Sequence, residues 1–530
     1  MLQKSPAVFD DARTKRTLFM ALLDAGHRFG MSKPILEDAE RAPLTYKRLI
    51  IGAFVLGGKL ANETSRGESV GVLLPNVNGM VVTLFGLNAF GRVAAMLNFT
   101  AGVKNIRAAT EIAEIRTVIT SRRFIDTAKL DDVIAALTAP AAGKAVRVIY
   151  LEDVRRSISG SDKIKGAVRS IFARAVHRRH ALRPENPAAI LFTSGTEGTP
   201  KGVALSNANL VANAMQIDQH ATGAWTSDDV VMNPLPMFHS FGLTAAGLLP
   251  LFSGMKTVLY PSPLHYKQVP ALIRETKCTV LFATDTFLQG YARAADAGDL
   301  DTVRIVVCGA ERVKDTTRKL WSKWGTIILE GYGATECSPV IACNLPQNNT
   351  PGTVGAIVPG ITARLDPVEG ISDGGKLVVR GANVMLGYIR HDAPGVIQPP
   401  DGGWHDTGDI VEIDSQGMVT IKGRAKRFSK IGGEMVSLAA VESMVASLWP
   451  DSNHVVVSLP DARKGEQLVL VTDKVDADKA ALLTEARAQG FADLWVPKAV
   501  LVVPQIPMLG AGKVDFQATA DLALKSRPLL

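Results

Sequence analysis

Apolar positions in the first 150 residues alternate between two periods. In RLIIGAFVLGGKLA, Arg48 to Ala61, they recur every three to four residues, as on one face of a helix. In SVGVLLPN, Ser69 to Asn76, they run without a break and end in a turn signal, as in a buried strand. A further helical run at 79–90 and strand-like runs at TVIT (Thr117–Thr120) and VRVIYLED (Val146–Asp153) follow. The alternation resumes in VVMNPLP, KTVLYPS, CTVLFAT and VRIVVCGAE. Strands alternating with helices predict an α/β architecture with largely parallel sheets.

After about residue 350 the pattern shortens to β runs separated by glycine-rich turns: GKLVVRG, MLGYI, GWHDTGD and GMVTIKGR. These predict a small, twisted β-rich subdomain. The segment GRAKRFSKIGGE, Gly423 to Glu434, mixes glycine with charge. Beyond it VSLAAVESMVASL reads as a helix, and HVVVSLP, QLVLVTD and KAVLVVPQIP as strands of a compact α+β unit. The best boundary lies at about 423–427.

Length fits this division, since 530 residues exceed one ordinary core. The 47% hydrophobic and 21% charged residues place the chain among globular proteins. The most apolar windows are Gly79 to Phe99, which carries Arg92, and Ser240 to Phe252, which is short and holds Pro250; both fit buried helices better than membrane spans. The first residues show no targeting signal. Cys278, Cys308, Cys337 and Cys343 match no zinc spacing and read as reduced thiols of a cytoplasmic protein.

A net charge of +8 permits an anionic partner, and its distribution is more informative than its size. Ser161 to Arg183 holds seven Lys or Arg against one Asp, with Ile164, Val168, Ile171, Phe172 and Ala175 at helical spacing on one face. This is either a helix lying on the anionic inner face of a membrane or a solvated helix packed on the body.

The candidate chemistry sits in four glycine-rich turns. LFTSGTEGTPKGV, Leu191 to Val203, has three glycines, three threonines, a serine and a lysine, yet Lys201 stands between Pro200 and Gly202, so the spacing of a Walker phosphate loop fails. Its ingredients still suit polyphosphate: hydroxyl donors, backbone that can approach oxygens, and a point charge. GYGATEC, Gly331 to Cys337, offers an aromatic ring at Tyr332 and a hard oxygen ligand at Glu336. WHDTGD ends in Asp409, able to accept from two ribose hydroxyls, with Arg424 fifteen residues on. PMLGAGKVD sets Lys513 in a turn from which a cation can reach a developing charge.

Together, TSGTEGTPKG, GYGATE, GKLVVRGANVMLGY, GWHDTGD, GRAK and PMLGAGK resemble, in order and spacing, the adenylate-forming (AMP-dependent synthetase and ligase) family over almost the whole chain. The resemblance implies a large N-terminal body of two α/β subdomains plus a β subdomain (1–423), a hinge at 424–426, and a mobile α+β C-terminal domain (427–530). Within the family, VGVLLPNVNGMVVTLFGLNAFGRVAAMLNFTAGVKNIRAA, EIRTVITSRRF, VCGAERV and LEGYGATECSPV look most like the acyl-acyl carrier protein synthetase half of bacterial bifunctional proteins. The chain leaves no room for the acyltransferase domain of those proteins, so a stand-alone long-chain fatty acid ligase is implied.

The family mechanism then assigns roles. ATP and a fatty acid give acyl-adenylate and pyrophosphate, and a phosphopantetheine thiol displaces AMP. In the loop Thr193, Ser194, Gly195, Thr196, Glu197, Gly198, Thr199 and Lys201, the hydroxyls and Lys201 would handle the β- and γ-phosphates. Glu336, with Thr196, would hold Mg2+, and Thr335 would meet the α-phosphate. Gly309, Ala310, Glu311 and Tyr332, with the turn glycines Gly331 and Gly333, would frame adenine; Asp409 and Arg424 would bind ribose. Lys513 would bridge carboxylate and α-phosphate during adenylation, and Lys426 at the hinge would let the C-terminal domain withdraw it.

His239 in MFHSFGL, Met237 to Leu243, looks like the gate beside the substrate head, and the lack of an Asp there points to a plain carboxylic acid. The implied acceptor is holo-acyl carrier protein, with coenzyme A as the alternative; no nucleic-acid partner is expected. A remote alternative is an inactive nucleotide- or acyl-binding regulator on the membrane surface. Two departures from the family pattern, RFSKIGGE after the hinge and Val-Asp after Lys513, bear on domain contacts and carrier docking.

Overall fold

A computed structural model describes residues 9–139, 145–194, 200–371, 373–431, 434–461, 465–508 and 514–526. These fall into two compact units, Met1–Thr362 with Arg380–His405, and Ala363–Val379 with Asp406–Leu530.

The first unit is α/β, as the alternating periods predict. One sheet has nine strands and the other eight. The middle of the nine-stranded sheet is parallel, running from Ile327–Gly333 through Ile305–Cys308, Val280–Ala283, Val230–Asn233 and Lys256–Leu259 to Pro34–Asp38. In the eight-stranded sheet Pro187–Ser194, Val93–Met96, Ser69–Val72, Thr117–Thr120 and Arg147–Tyr150 are parallel. Helices on both faces bury VAAM and TVIT completely, so these strands are apolar throughout rather than alternating. The helices Tyr46–Glu63 and Asn78–Ala89 pack at glycines: a Cβ on Gly57 would lie 2.4 Å from the Gly86 carbonyl oxygen.

Three local readings are corrected. VRVIYLED is a strand only to Tyr150; Leu151–Ser157 is helical, with Glu152 and Asp153 in the first turn, where acidic side chains complement the helix dipole. The basic segment is two helices, Gly160–Ile171 and Ala173–His180, broken at Phe172. The break turns the second helix inward: buried His177 bonds Thr17 Oγ1 at 2.7 Å and the Ala89 carbonyl at 2.9 Å. Finally, MLGYI leaves the β subdomain. Gly387–Arg390 pairs antiparallel with Pro200–Ser206 and joins the eight-stranded sheet, and Ala393–Gln398 pairs with it in turn.

The second unit holds a four-stranded sheet, ordered Ile361–Asp366, Gly375–Gly381, His405–Ile413, Val419–Arg424, whose first three strands begin or end across the unit boundary. It also holds a five-stranded sheet with helices Leu438–Leu448, Lys479–Ala488 and Phe516–Lys525. Residues 424–426 lie within this unit, where Ser437 Oγ donates to the Lys422 carbonyl at 2.8 Å and Arg427 stacks on the Phe516 ring at 3.8 Å.

Among the described residues no helix is long and apolar enough to cross a membrane. All four cysteines are free thiols, and burial pushes each pKa up, that of Cys343 to about 12, so none is poised to react.

Candidate active site

The glycine-rich loop joins two strands of one hairpin, in which Thr193 stands opposite Lys201 and Phe192 opposite Gly202. Gly195, Thr196, Glu197, Gly198 and Thr199 lie outside the described residues, as does Lys513. Ser194 ends the first strand. Thr193 Oγ1 is buried and makes no hydrogen bond among the described residues, a donor held where a phosphate oxygen could accept it.

Lys201 Nζ lies 3.2 Å from Glu336 Oε1 and 3.7 Å from the ring centroid of Tyr388. The Tyr388 hydroxyl donates to the same Glu336 Oε1 at 2.7 Å. Tyr388 reaches this point because the strand Gly387–Arg390 adds to the loop hairpin with Tyr388 opposite Val203. Glu336 sits in the short turn Thr335–Cys337, anchored by its own carbonyl, which accepts from Met385 N–H at 2.7 Å.

Burial opposes ionisation of Glu336. The Lys201 charge, the Tyr388 hydrogen bond and the nearby His405 outweigh it and hold the carboxyl below the ordinary glutamate value. Burial and the neighbouring carboxylate push the Tyr388 hydroxyl far up, so it remains a donor. The result is a carboxylate held in its ionised form at neutral pH beside a fixed cation.

The strand Ile327–Gly333 leads straight into that turn. A Cβ on Gly333 would meet the Pro339 carbonyl oxygen at 2.2 Å, so only glycine allows this approach. Buried Tyr332 precedes it. The neighbouring parallel strand brings Cys308 level with Glu330, setting Gly309 beside Gly331, with a Cβ built on Gly309 3.6 Å from the Gly331 carbonyl oxygen. Ala310 follows with φ +67°, a left-handed conformation costly for a residue with a Cβ and typical of ligand-facing turns. The Glu311 carboxylate accepts from Thr286 N–H at 2.9 Å and Thr286 Oγ1 at 2.8 Å, so it caps the helix Asp285–Ala294.

His239 is exposed, with its ring 4.5 Å from that of Phe238. Ser240 Oγ donates to Thr335 Oγ1 at 3.4 Å, which ties the His239 segment to the Glu336 turn. The next residues, Phe241–Leu248, form a π-helix, a geometry that recurs at functional sites. Phe241 covers Gly309, where a Cβ would come within 3.2 Å of its ring.

In the second unit Asp409 and Arg424, fifteen residues apart in sequence, are opposite one another in a hairpin, with Nε 2.8 Å from Oδ1 and Asp409 buried. Lys426 lies in the short turn Ala425–Arg427. The first unit thus gathers Thr193, Lys201, Thr335, Glu336, Gly309, Ala310, Tyr332 and His239, and the second pairs Asp409 with Arg424. Tyr388 was missed as a site residue, although it ends the quoted GKLVVRGANVMLGY stretch.

Residues 24–389 match the family of AMP-binding enzymes, and the chain belongs to that family of adenylate-forming proteins. It is 25% identical to a long-chain-fatty-acid–CoA ligase of Haemophilus influenzae, over 92% of this chain and 91% of the relative. It is 28% identical to a 3-[(3aS,4S,7aS)-7a-methyl-1,5-dioxo-octahydro-1H-inden-4-yl]propanoyl:CoA ligase of Rhodococcus jostii, over 93% of this chain and 96% of the relative. The ATP-bound structure of MatB from Rhodopseudomonas palustris is 25% identical and superposes with a TM-score of 0.78 over 96% of this chain and 99% of that one.

The residues present fit a Mg2+–ATP substrate. Among the described residues no group of three His, Cys, Asp or Glu could hold a metal by itself. One ionised carboxylate, Glu336, suits Mg2+, which takes one or two carboxylates and completes its shell with phosphates and water. Bound there, the ion would neutralise charge on the phosphates.

Proposed function

We propose that the chain is an ATP-dependent acid–thiol ligase that activates a long-chain fatty acid. The observation that carries this reading is the Lys201–Glu336–Tyr388 cluster beside the phosphate-type loop, within the family-matched region. A substrate carboxylate oxygen attacks the α-phosphorus of ATP, and pyrophosphate leaves with the P–O bond electrons. A thiol then attacks the acyl carbonyl; AMP departs and the thiol proton is released.

Lys201 and the Thr193 hydroxyl would bind phosphate oxygens. Glu336 would orient the phosphates through Mg2+, and Thr335 would contact the α-phosphate. Gly309, Ala310 and Tyr332 would frame adenine, while Asp409 and Arg424 would hold ribose. His239 would stand at the carboxylate entrance. Lys513 would place a charge between carboxylate and α-phosphate, where it counts most in the transition state. Turning of the C-terminal domain, 427–530, about 424–426 would then remove it before the thiol step. These assignments rest on the family resemblance together with the side chains described above.

Coenzyme A is the acceptor best supported, since the curated relatives matched over nine-tenths of the chain are named as coenzyme A ligases. Acyl carrier protein is a second reading, supported by the sequence resemblance of VGVLLPNVNGMVVTLFGL and LEGYGATECSPV to carrier-protein synthetases. Thioester formation measured side by side with coenzyme A and holo-acyl carrier protein tests both. Product with coenzyme A alone rejects the carrier-protein reading. ATP–pyrophosphate exchange across chain lengths and a ring-bearing propanoate tests the acyl class. Absence of exchange with every carboxylic acid offered would leave only the inactive-regulator reading.

A further inference from the structure

The helix Gly160–Ile171 is mounted on the body by its small and polar side. Gly166 is buried against the helix Tyr46–Glu63, where a Cβ would meet Val55 Cγ2 at 2.3 Å and lie 3.5 Å from the Ile51 carbonyl oxygen. Asp162 caps the helix through Ser159 and pairs with Lys59 Nζ at 2.8 Å. Arg169 stacks over the Phe90 ring at 5.5 Å. Every anchor therefore lies on the glycine side.

The apolar stripe faces the other way. Ile164 is 67% exposed, Val168 49%, Ile171 75% and Phe172 61%. At 3.6 residues per turn, roughly half a turn separates this stripe from Gly166. An amphipathic surface helix ordinarily buries its apolar face, and this one presents it to solvent. Contiguous exposed apolar side chains mark an interaction surface, whereas scattered ones do not.

Charge identifies the occupant. Lys163 and Lys165 are exposed on either side of the stripe, and Arg178 and Arg179 are exposed beyond it. Asp162 is paired with Lys59, and Asp24 with Arg16 and Arg174; among the described residues no ion pair involves Lys163, Lys165, Arg178 or Arg179. An apolar stripe bordered by exposed cations complements a surface of anionic headgroups over acyl chains. We propose that this face, centred on Ile164, Val168, Ile171 and Phe172, docks on an anionic lipid bilayer, with the helix axis in the plane of the headgroups.

The test is co-sedimentation of the full chain with vesicles of phosphatidylglycerol and phosphatidylcholine, or of phosphatidylcholine alone. Binding is expected to the anionic vesicles, to weaken with salt, and to be far weaker on phosphatidylcholine. Ile171→Ser with Phe172→Ser, and separately Arg178→Glu with Arg179→Glu, should each lower partitioning at least about tenfold. Because these side chains are exposed, thermal unfolding and ATP–pyrophosphate exchange without vesicles should match the parent. Failure of the parent to bind, equal binding to both vesicle types, or parent-like binding by both variants would overturn the proposal. So would sedimentation equilibrium showing a dimer that the Ile171→Ser, Phe172→Ser variant dissociates, which would make the face a contact between copies of this chain.

Discussion

Lys201 and Glu336, 135 residues apart in sequence, meet at 3.2 Å, and Tyr388 donates to the same Glu336 oxygen at 2.7 Å. The contact joins the glycine-rich loop of one sheet to the terminal turn of a strand in the other. It holds a carboxylate ionised next to a cation whose position is fixed by an aromatic ring.

Replacing Glu336 by Gln keeps its size and the acceptor for Tyr388 but removes the charge. ATP–pyrophosphate exchange should fall by about 10²-fold or more, as for loss of one preorganised electrostatic group. At neutral pH the melting temperature should fall modestly, since the depressed pKa of Glu336 contributes stability there that Gln cannot supply. Thioester formation from supplied acyl-adenylate should survive, and equal loss in both assays would contradict the assignment.

Tyr388→Phe retains the ring beneath Lys201 and deletes only the hydroxyl. The Glu336 pKa, held low in the folded protein, should rise, moving the acid limb of the exchange-rate profile to higher pH. A carboxylate with a depressed folded pKa adds stability above its unfolded value that is lost as pH falls through the folded one. The variant should therefore lose stability relative to the parent at neutral pH and converge with it in acid. A drop of about tenfold in kcat/KM is expected for a lost bond to a charged group.

Gly333→Ala tests how tightly the turn is held. The added Cβ would meet backbone at Pro339, which cannot swing aside. Thermal or denaturant unfolding should show a loss of about 1–3 kcal/mol, as for other overpacked sites. Exchange activity should fall with it, because Thr335 and Glu336 follow directly.

Lys513→Ala should separate the half-reactions. Adenylation should fall by about 10²-fold or more, whereas thiol transfer from supplied acyl-adenylate should continue. A parallel fall in both would remove Lys513 from the role proposed for it.

Much was readable in the chain itself. Local periodicity reports the environment of each side chain, so TVIT became a fully buried parallel strand and SFGLTAAGLLPLF a buried helical segment, as read. Errors fell at boundaries, as where VRVIYLED turned helical after Tyr150 because the two acids favour a helix N-terminus. The sequence by itself determined the alternation of elements, the glycine-rich turns, and which charged residues stand in them. It could not say that MLGYI leaves its neighbours to pair with the loop hairpin, since strand pairing is a long-range choice that no local pattern encodes. That choice put Tyr388 beside Lys201. Nor could periodicity say which way the 160–171 helix faces: the same apolar stripe serves a core or a surface, and the close seat at Gly166 turned it outward. Residue types and spacing were local properties; partners and orientation came from packing.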